Sequence, residues 1–454
     1  MSRAASIHVC SACGRESPRW AGRCAACGEW NTLVEEARPR RRAAGGAGRR
    51  GAAPAAPVAL GEVLAPTDDR LSTGIGELDG VLGGGIVPGS MVLIGGAPGI
   101  GKSTLTTMAL ANLLASGRRT LYISAEESAA QIRLRAERLP ISAALRIPVV
   151  AETSLETVLA TIEQQRPEVC VIDSVQTLHS AELPSAAGSA GQVREVTEAI
   201  MRVAKSLQIA VLLVGHVTKD GALAGPRMLE HLVDCVLQFE GERERTYRTV
   251  RALKNRFGST NEAGVFEMRA DGLVEVLDAS ARFVGEATRA PGSVVLAAME
   301  GSRPLLVEVQ ALVCASELVP PRRVLAGLDR NRVALVLAVL ARHGGIGLGA
   351  SDVFVNVVGG VRVDEPGADL AVALAVASAA ERVALLGPNH RPLACFGELG
   401  LTGELRTVGH GERRLAETAK FGLKPVLEPE GHRTLRTALN AALGPRARSR
   451  AIAA

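Results

Sequence analysis

The chain has 454 residues, of which 47% are hydrophobic and 22% charged, with a formal net charge of +5. This length exceeds what one hydrophobic core usually holds, so we expect two or three domains. The most apolar runs, residues 209–214 and 370–380, are too short to cross a bilayer, and the N-terminus lacks a signal-peptide pattern. We therefore predict a cytoplasmic protein without a membrane partner. So mild a net charge does not by itself indicate nucleic-acid binding.

The first distinct feature is a four-cysteine pattern near the N-terminus. Its spacing is C-x2-C-x10-C-x2-C, formed by Cys10, Cys13, Cys24 and Cys27. Two such knuckles supply the four thiolates of a structural zinc site, so residues 1–36 are predicted to form a zinc ribbon. Gly14 and Gly28 follow the knuckles as tight reversals require, and Trp20 and Trp30 are expected to form a small core. Disulfides and a redox motif are the alternatives, which a reducing cytosol disfavours.

Residues 37–60 change in composition to arginine, glycine, alanine and proline. Such a segment cannot bury enough apolar surface to fold, so it is predicted to be a flexible linker. Its arginines could hold a polyanion or could simply be solvated, and both readings stay open.

A phosphate-binding loop is the clearest catalytic motif. Residues 96–103 read GAPGIGKS, after an apolar run at 90–95 and before a helical pattern at 104–114. The context of strand, glycine-rich loop and helix is that of a P-loop, whose backbone N–H groups surround phosphates. Lys102 is expected to reach the terminal phosphates and Ser103 to ligate Mg²⁺. The predicted ATP-binding residues are Gly96, Ala97, Pro98, Gly99, Ile100, Gly101, Lys102, Ser103 and Thr104, together with Asp173.

Carboxylates at two strand ends complete the predicted hydrolytic site. Asp173 ends the buried run VCVIDS and is placed to support Mg²⁺, while Glu126 ends TLYISAEE and is the candidate to orient water. Glu127 is a weaker candidate, and Glu126 could instead be a carboxylate at the start of a helix over 127–138. A further apolar run ends in His216, either a sensor of the γ-phosphate or a structural histidine.

Strand and helix patterns alternate from about residue 61 to 276, which predicts an α/β domain with a parallel sheet. The segments LSTGIGELDGVLGGGIVPGS, YISAEES, TKDGALAGPRMLEH and KNRFG then carry a closer resemblance. They resemble the RecA-like ATPases and, within these, the bacterial RadA (Sms) family of DNA repair proteins, whose N-terminal four-cysteine module also matches. The resemblance implies a RecA-like ATPase domain at 61–280.

The KNRFG segment, residues 254–258, is the family-specific motif that this resemblance connects to coupling between ATP and DNA remodelling. RecA-like motors bind nucleotide between neighbouring subunits. Arg256 or Lys254 would then stabilise the γ-phosphoryl of a neighbour, with Phe257 and Gly258 fixing the turn. A β-turn with solvated charges is the alternative.

The resemblance also suggests where DNA binds. Residues 179–192 and 218–230 match the two loops that RecA-like proteins direct to the central axis. Both are rich in small residues and are expected to be mobile. Lys219 and Arg227 are the predicted DNA-binding residues. Neither loop contains an aromatic residue, so binding there should depend on the backbone and on salt.

Residues 281–454 resemble the α+β proteolytic domain of Lon proteases. Gly367 stands where the motif order places the nucleophilic serine, and Glu412 where it places the catalytic lysine. Without these groups no peptide hydrolysis is expected. The domain is predicted to be a ring-forming scaffold whose arginines could guide DNA, namely Arg303, Arg322, Arg323, Arg330 and Arg332.

The sequence therefore predicts a DNA-dependent ATPase that uses ATP, Mg²⁺ and Zn²⁺. By resemblance it would act as a homo-hexameric ring on single-stranded and branched DNA, promoting branch migration or unwinding beside the recombinase RecA. The alternatives are a Lon-type protease or unfoldase and a DNA-independent signalling ATPase like the KaiC group.

Overall fold

A computed structural model describes residues 6–10, 15–30, 32–37, 59, 70–215, 228–241 and 247–444. The chain divides into two compact units. Unit 1 comprises Met1–Phe239, Ala252–Thr260 and Ala270–Leu273, and unit 2 comprises Glu240–Arg251, Asn261–Arg269 and Val274–Ala454. The sequence predicts one domain boundary at residue 280, whereas each of these units is made of three separate segments of the chain. Nearly all of the predicted linker lies outside the described residues.

The N-terminal segment of unit 1 is a small antiparallel ribbon. Its strands are β1 (Ser6–Cys10), β2 (Glu16–Ser17) and β3 (Leu33–Ala37), in the order β2-β1-β3. Cys10, Cys24 and Leu33 form its buried cluster. The expectation that the tryptophans fill this core is wrong, because Trp20 is 60% exposed and Trp30 is 67% exposed. Three strands of this size enclose little volume, and two cysteines and one leucine already occupy it.

The main sheet of unit 1 contains six parallel strands in the order β9-β4-β8-β7-β5-β6. Its elements are α1 (Gly76–Leu82), β4 (Met91–Gly96), α2 (Lys102–Ala115), β5 (Thr120–Ser124), α3 (Ala129–Ala136), β6 (Val149–Ala151), α4 (Leu155–Gln165), β7 (Val169–Asp173), α5 (Ala190–Leu207), β8 (Ala210–Val214), α6 (Met228–Leu232) and β9 (Cys235–Glu240). Every residue of β4, β5, β7 and β8 is buried, which explains why these strands read as continuous apolar runs. The predicted parallel α/β sheet is confirmed.

One core cluster joins this sheet to two of its helices. Leu93 and Ile172 on the strands share it with Leu155 of α4 and with Val196 and Ile200 of α5. Burial of such side chains contributes about 1.5–3 kcal/mol each, so this packing fixes the sheet on which the loops depend.

Three further strands follow, namely β10 (Tyr247–Asn255), β11 (Ala263–Arg269) and β12 (Gly272–Glu275). Strands β10 and β11 pair antiparallel from Tyr247 opposite Glu267 to Arg251 opposite Ala263. The division between the units falls within β10 and within β12.

Unit 2 is a mixed α/β structure with a six-stranded sheet in the order β15-β16-β14-β13-β17-β20. Its elements are α7 (Ala279–Glu286), β13 (Ser293–Glu300), β14 (Arg303–Ala315), β15 (Arg323–Ala326), α8 (Arg330–Val339), β16 (Ser351–Val357), α9 (Asp369–Glu381), β17 (Ala394–Cys395), β18 (Glu398–Leu399), β19 (Leu405–Arg406), α10 (Gly411–Lys420), β20 (Val426–Leu427) and α11 (Leu435–Leu443). Helix α9 is buried from Asp369 to Ser378, so it is the central helix of this unit's core. Within the described ranges, no helix is both long and apolar enough to cross a membrane.

Candidate functional site

The loop between β4 and α2 has the geometry of a phosphate-binding loop. Gly99 and Gly101 adopt positive φ angles of 74° and 118°, which glycine tolerates better than other residues. A Cβ on Gly96 would lie 2.7 Å from the carbonyl oxygen of Phe239, so a larger residue cannot occupy that position without a shift. Ala97, Pro98 and Gly99 are exposed, and the loop therefore presents its backbone to solvent.

Lys102 begins helix α2 and is only 4% exposed. Its ammonium group donates to the carbonyl oxygens of Gly96 at 2.8 Å and Ala97 at 3.1 Å. Burial lowers the pKa of Lys102, while the charges of Asp173 and Glu126 act in the opposite direction. The lysine is therefore held inside the loop, with both predicted carboxylates near enough to influence its titration.

Asp173 lies at the end of β7 and is 6% exposed. The buried hydroxyl of Tyr122 donates to its Oδ2 atom at 2.7 Å, and Arg135 donates to the same hydroxyl at 3.2 Å. Burial and then the charge of Asp173 raise the pKa of Tyr122, so the phenol remains a hydrogen-bond donor. This arrangement orients one carboxylate oxygen of Asp173. Sequence reasoning missed Tyr122 and Arg135, although a polar side chain within a buried strand is a recognisable signal.

Glu126 and Glu127 have different surroundings. Glu126 is exposed, and the Ser174 hydroxyl donates to its Oε1 atom. Glu127 instead pairs with Arg135, whose guanidinium lies 2.5 Å from it. Helix α3 begins only at Ala129, with Ser128 as its N-cap, so the alternative of a helix-start role for Glu126 is not supported. Glu126 is therefore the better placed of the two to act on a solvent molecule.

These groups converge because of strand register. The pairs Ile94–Val214, Val214–Asp173 and Asp173–Ser124 form one row across β4, β8, β7 and β5. In addition, the backbone N–H of Ala125 donates to the carbonyl oxygen of Asp173 at 2.7 Å. The phosphate loop, Asp173 and Glu126 thus follow the carboxyl ends of parallel strands, the usual ligand-binding edge of such sheets.

The KNRFG turn lies at the opposite end of β4. The backbone N–H of Arg256 donates to the carbonyl oxygen of Asp234, whose own N–H donates to the carbonyl oxygen of Met91, the first residue of β4. Asp234 is 5% exposed and also accepts from the Met91 N–H at 3.1 Å. Strand β4 separates this turn from the phosphate loop by about 17 Å, using about 3.3 Å per residue. Arg256 therefore cannot reach the phosphate loop of its own chain.

The two cations of this turn are held differently. Lys254 donates to the carbonyl oxygens of Glu230 at 2.6 Å and Val233 at 2.8 Å, and burial followed by the charge of Arg256 lowers its pKa. The Arg256 side chain is 52% exposed and pairs with Asp234 at 3.1 Å. Lys254 therefore binds the backbone of its own chain, whereas Arg256 extends to the surface.

The rest of the KNRFG turn is braced by backbone contacts. Arg70 donates to the carbonyl oxygens of Phe257 at 2.6 Å and Leu82 at 3.2 Å. A Cβ on Gly258 would lie 3.1 Å from the Cα atom of Gly83, so the two glycines allow close contact between segments. The turn is thus more ordered than the alternative of a simple solvated turn implies.

The first predicted DNA loop is organised by a residue that sequence reasoning did not single out. Gln192 is 1% exposed, and its amide donates to the carbonyl oxygens of Ser180, Leu183 and Ser185, each at 3.1 Å. Its Oε1 atom accepts from the Ser180 N–H at 2.8 Å. These bonds give the loop a defined path, while its predicted mobility stays a prediction. His216, Lys219 and Arg227 lie outside the described residues.

The cysteines of the ribbon form a metal-binding cluster. The Sγ atoms of Cys10, Cys24 and Cys27 all lie within 4.8 Å of one another, while Cys13 lies outside the described residues. The N–H of Cys24 donates to the carbonyl oxygen of Glu29, and Gly28 has a positive φ of 79°, as a metal knuckle requires. Sulfur donors in this arrangement fit Zn²⁺.

Gly367, which stands where a Lon-type protease would have its serine, is packed against a buried arginine in unit 2. Arg414 is 2% exposed, and it donates to Glu365 at 2.9 Å and to the carbonyl oxygen of Ala297 at 2.6 Å. A Cβ on Gly367 would lie 2.9 Å from Nη1 of Arg414, the nitrogen that makes both of these hydrogen bonds. Glu412 is exposed in the first turn of α10. The buried arginine occupies the space that a serine side chain would need.

Three of the five arginines predicted to guide DNA have structural partners. Arg332 binds Asp369 through two bonds of 2.7 and 2.6 Å, Arg323 donates to the carbonyl oxygen of Leu348 at 2.8 Å, and Arg303 donates to that of Leu277 at 2.6 Å. These three side chains stabilise the folded chain, because they donate hydrogen bonds to a buried carboxylate or to backbone carbonyl oxygens. Arg322 and Arg330 are exposed.

Comparisons with known proteins extend over nearly the whole chain. The AAA domain family matches residues 60–222, and the Rubredoxin metal binding domain family matches residues 8–35. DNA repair protein RadA of Listeria monocytogenes is 49% identical over 426 residues, with 93% of this chain and 92% of that protein covered. DNA repair protein RadA of Pseudomonas aeruginosa is 52% identical, with 95% and 94% covered, and that of Bacillus subtilis is 47% identical, with 94% and 93% covered.

Proposed function

This chain belongs to the RadA family of DNA repair proteins, and from that premise we propose that it couples ATP hydrolysis to branch migration or unwinding of recombination intermediates. The observation that carries the proposal is the meeting of Lys102, Asp173 and Glu126 at one edge of the sheet, with the KNRFG turn at the other. The first group suits hydrolysis within a subunit, and the second suits communication with a neighbour.

In the proposed hydrolytic step, the loop N–H groups and Lys102 bind the phosphates of ATP. Lys102 exchanges its bonds to Gly96 and Ala97 for phosphate oxygens, and it stabilises the charge that develops on them. Glu126 orients the attacking water, with Ser174 fixing the carboxylate. Ser103 and Asp173 would hold Mg²⁺, which supplies charge neutralisation between the phosphates when bound.

The trans role proposed for KNRFG follows from its distance to the phosphate loop. Since Arg256 lies at the amino end of β4, any phosphate it contacts belongs to another subunit. Its exposed guanidinium suits this role better than Lys254, whose ammonium binds two carbonyl oxygens of its own chain. We propose that Arg256 exchanges Asp234 for the γ-phosphate of a neighbour in a homo-hexameric ring.

Single-stranded and branched DNA are the proposed substrates, and a RecA recombinase is the proposed protein partner. Lys219 and Arg227 remain the proposed DNA contacts within the ATPase domain. Unit 2 is proposed to act as a scaffold without peptidase activity, since Arg414 and Glu365 fill the space beside Gly367. The assignment to the cytoplasm remains a prediction from the sequence.

The proposal is tested by ATP hydrolysis with and without a single-stranded oligonucleotide. We expect stimulation by DNA in the unaltered chain and loss of hydrolysis in Lys102→Ala, because no other group can replace the buried ammonium. Lys420→Ala is the control, since this lysine is 67% exposed and pairs only with Glu417 among the ion pairs of the described chain. Hydrolysis that is insensitive to DNA would favour a signalling ATPase and contradict the proposal.

A further inference from the structure

Two exposed tryptophans in the zinc ribbon form a surface that the proposed ATPase site does not use. The chain contains 11 aromatic residues, two Trp, two Tyr and seven Phe, and both tryptophans are here. Trp20 is 60% exposed and Trp30 is 67% exposed. Indole rings carry a large apolar area, so leaving both in solvent is unfavourable unless a partner covers them.

The two rings share one patch. A Cβ on Gly22 would lie 3.7 Å from the Trp30 ring and 3.8 Å from the Trp20 ring, so both indoles flank the same glycine. Arg23 pairs with Trp30 across an isolated β-bridge and donates to the carbonyl oxygen of Gly28 at 2.7 Å. The cysteine knuckle that begins at Cys24 thus holds the patch in place.

One cation contacts a ring of this patch, and two further arginines are near it in the sequence. The Arg23 guanidinium is 5.8 Å from the centroid of the Trp30 ring, within the range of a cation–π contact. Arg19 precedes Trp20 directly, and both Arg19 and Arg15 are exposed. Ala21 and Gly22 follow Trp20 directly, and Glu29, which is exposed, precedes Trp30. The patch therefore combines accessible aromatic faces with positive charge.

We propose that this ribbon binds single-stranded nucleic acid, with bases stacking on Trp20 and Trp30 and with Arg15, Arg19 and Arg23 contacting the phosphate backbone. Aromatic platforms beside cations are how proteins bind single strands without sequence preference, because every base has a π-face. The two predicted DNA loops of unit 1 contain no aromatic residue. Stacking would therefore come from the ribbon, and charge neutralisation from both regions. The inference rests on the proposed action on single-stranded DNA.

Tryptophan fluorescence of the full-length, zinc-loaded protein tests this surface directly. Since both tryptophans of the chain lie in the patch, selective excitation reports this site without added labels. We expect an oligothymidylate to quench the emission saturably, and salt to reverse the quenching because phosphate contacts are lost. The single-reporter variants Trp20→Phe and Trp30→Phe should each still be quenched.

Affinity measurements on alanine variants provide the second arm. Trp20→Ala and Trp30→Ala should each weaken binding of a labelled oligothymidylate by about 5- to 150-fold, the loss expected for one stacked base. Arg133→Ala is the control for nonspecific loss of charge, because this arginine is 74% exposed and lies outside the ribbon. Zinc content is measured for every variant, so that loss of the ribbon fold is recognised.

Absence of quenching while the labelled oligothymidylate binds the protein would overturn the inference, as would unchanged affinity in the double alanine variant. Quenching by a purified recombinase alone would identify a protein-docking surface and would also overturn it. The proposed function fails separately: ATP hydrolysis would then be unaffected by DNA even though the oligonucleotide still quenches the ribbon.

Discussion

At the scale of single residues, the candidate site depends on which partner each carboxylate has. Glu127 is paired with Arg135, and Asp173 is bound by the Tyr122 hydroxyl. Glu126 is exposed and receives the Ser174 hydroxyl. The two glutamates are adjacent in the sequence, but their different partners give them different surroundings.

The first prediction compares these two neighbours. Glu126→Gln should retain ATP binding but lower the rate of hydrolysis by about 100-fold or more, because an amide cannot accept a proton from water. Glu127→Gln is the matched control and should keep most activity, losing only a partly exposed pair with Arg135. Nucleotide binding and single-turnover hydrolysis are the measurements. Equal effects of the two substitutions, or loss of ATP binding in Glu126→Gln, would show that Glu126 is structural.

The second prediction concerns Glu300, which is 5% exposed and binds Arg251 at 2.8 Å. Burial raises the pKa of Glu300 from 4.5 to about 7, against the charge of Arg251. The folded state therefore keeps a proton that the unfolded state releases, so stability should fall as pH rises from about 4.5 to about 7, by about 3 kcal/mol from this group. Glu300→Gln should flatten that slope in thermal unfolding. Identical slopes for both proteins would contradict the prediction.

At the scale of secondary-structure elements, strand ends decide what meets. The parallel sheet places the phosphate loop and both carboxylates at one edge because all of them follow strands that run in the same direction. Asp234 directly precedes β9 and is bonded to Met91 at the start of β4, and the KNRFG turn is bonded to Asp234. Both therefore lie at the other edge of the sheet. In unit 2, the turn Pro366–Ala368 before α9 places Gly367 against Arg414 of α10.

The third prediction tests this contact in unit 2. Gly367→Ser should destabilise the protein by about 1–3 kcal/mol, because its Cβ would lie 2.9 Å from a buried guanidinium nitrogen. It should also fail to digest casein, since a serine without a base is not activated. Gly411→Ser is the control, because a Cβ there meets no atom within 4 Å. A stable Gly367→Ser protein with peptidase activity would disprove the scaffold role.

At the scale of the whole molecule, the two edges of one sheet suggest why the protein would need neighbours. One edge binds nucleotide and the other carries Arg256, and about 17 Å of strand separates them. Under the proposed trans role, a subunit with this layout would complete a neighbour's site and not its own.

The fourth prediction tests that requirement by mixing two inactive proteins. Arg256→Ala should bind ATP almost normally yet lose hydrolysis coupled to DNA, with a rate loss that can reach about a thousandfold for a full trans cation. Mixing it with Lys102→Ala should recover part of the ATPase activity, since some intact phosphate loops then face an intact Arg256. Arg269→Ala is the matched control, since this arginine is 50% exposed and pairs with Glu267. An inactive mixture, despite proven mixed rings, would place Arg256 within its own subunit or on DNA.

The sequence by itself determined the motifs whose chemistry is local. The phosphate loop, the strand-end Asp173 and the cysteine spacing could be predicted because residues close in the sequence form them. Buried parallel strands could be predicted because they are continuous apolar runs. Family membership could also be recognised from short sequence segments such as KNRFG. Boundaries of strands and helices were close, with β4 ending one residue later than expected.

Only the tertiary structure decided the pairings between distant segments. The bond from Tyr122 to Asp173, the enclosure of Gln192 by its loop and the position of Arg414 against Gly367 depend on packing that no local pattern encodes. The same holds for the exposure of Trp20 and Trp30, which were expected to form the small core of the zinc ribbon. Burial is a property of the volume that surrounding elements enclose, and the sequence of one element does not specify that volume.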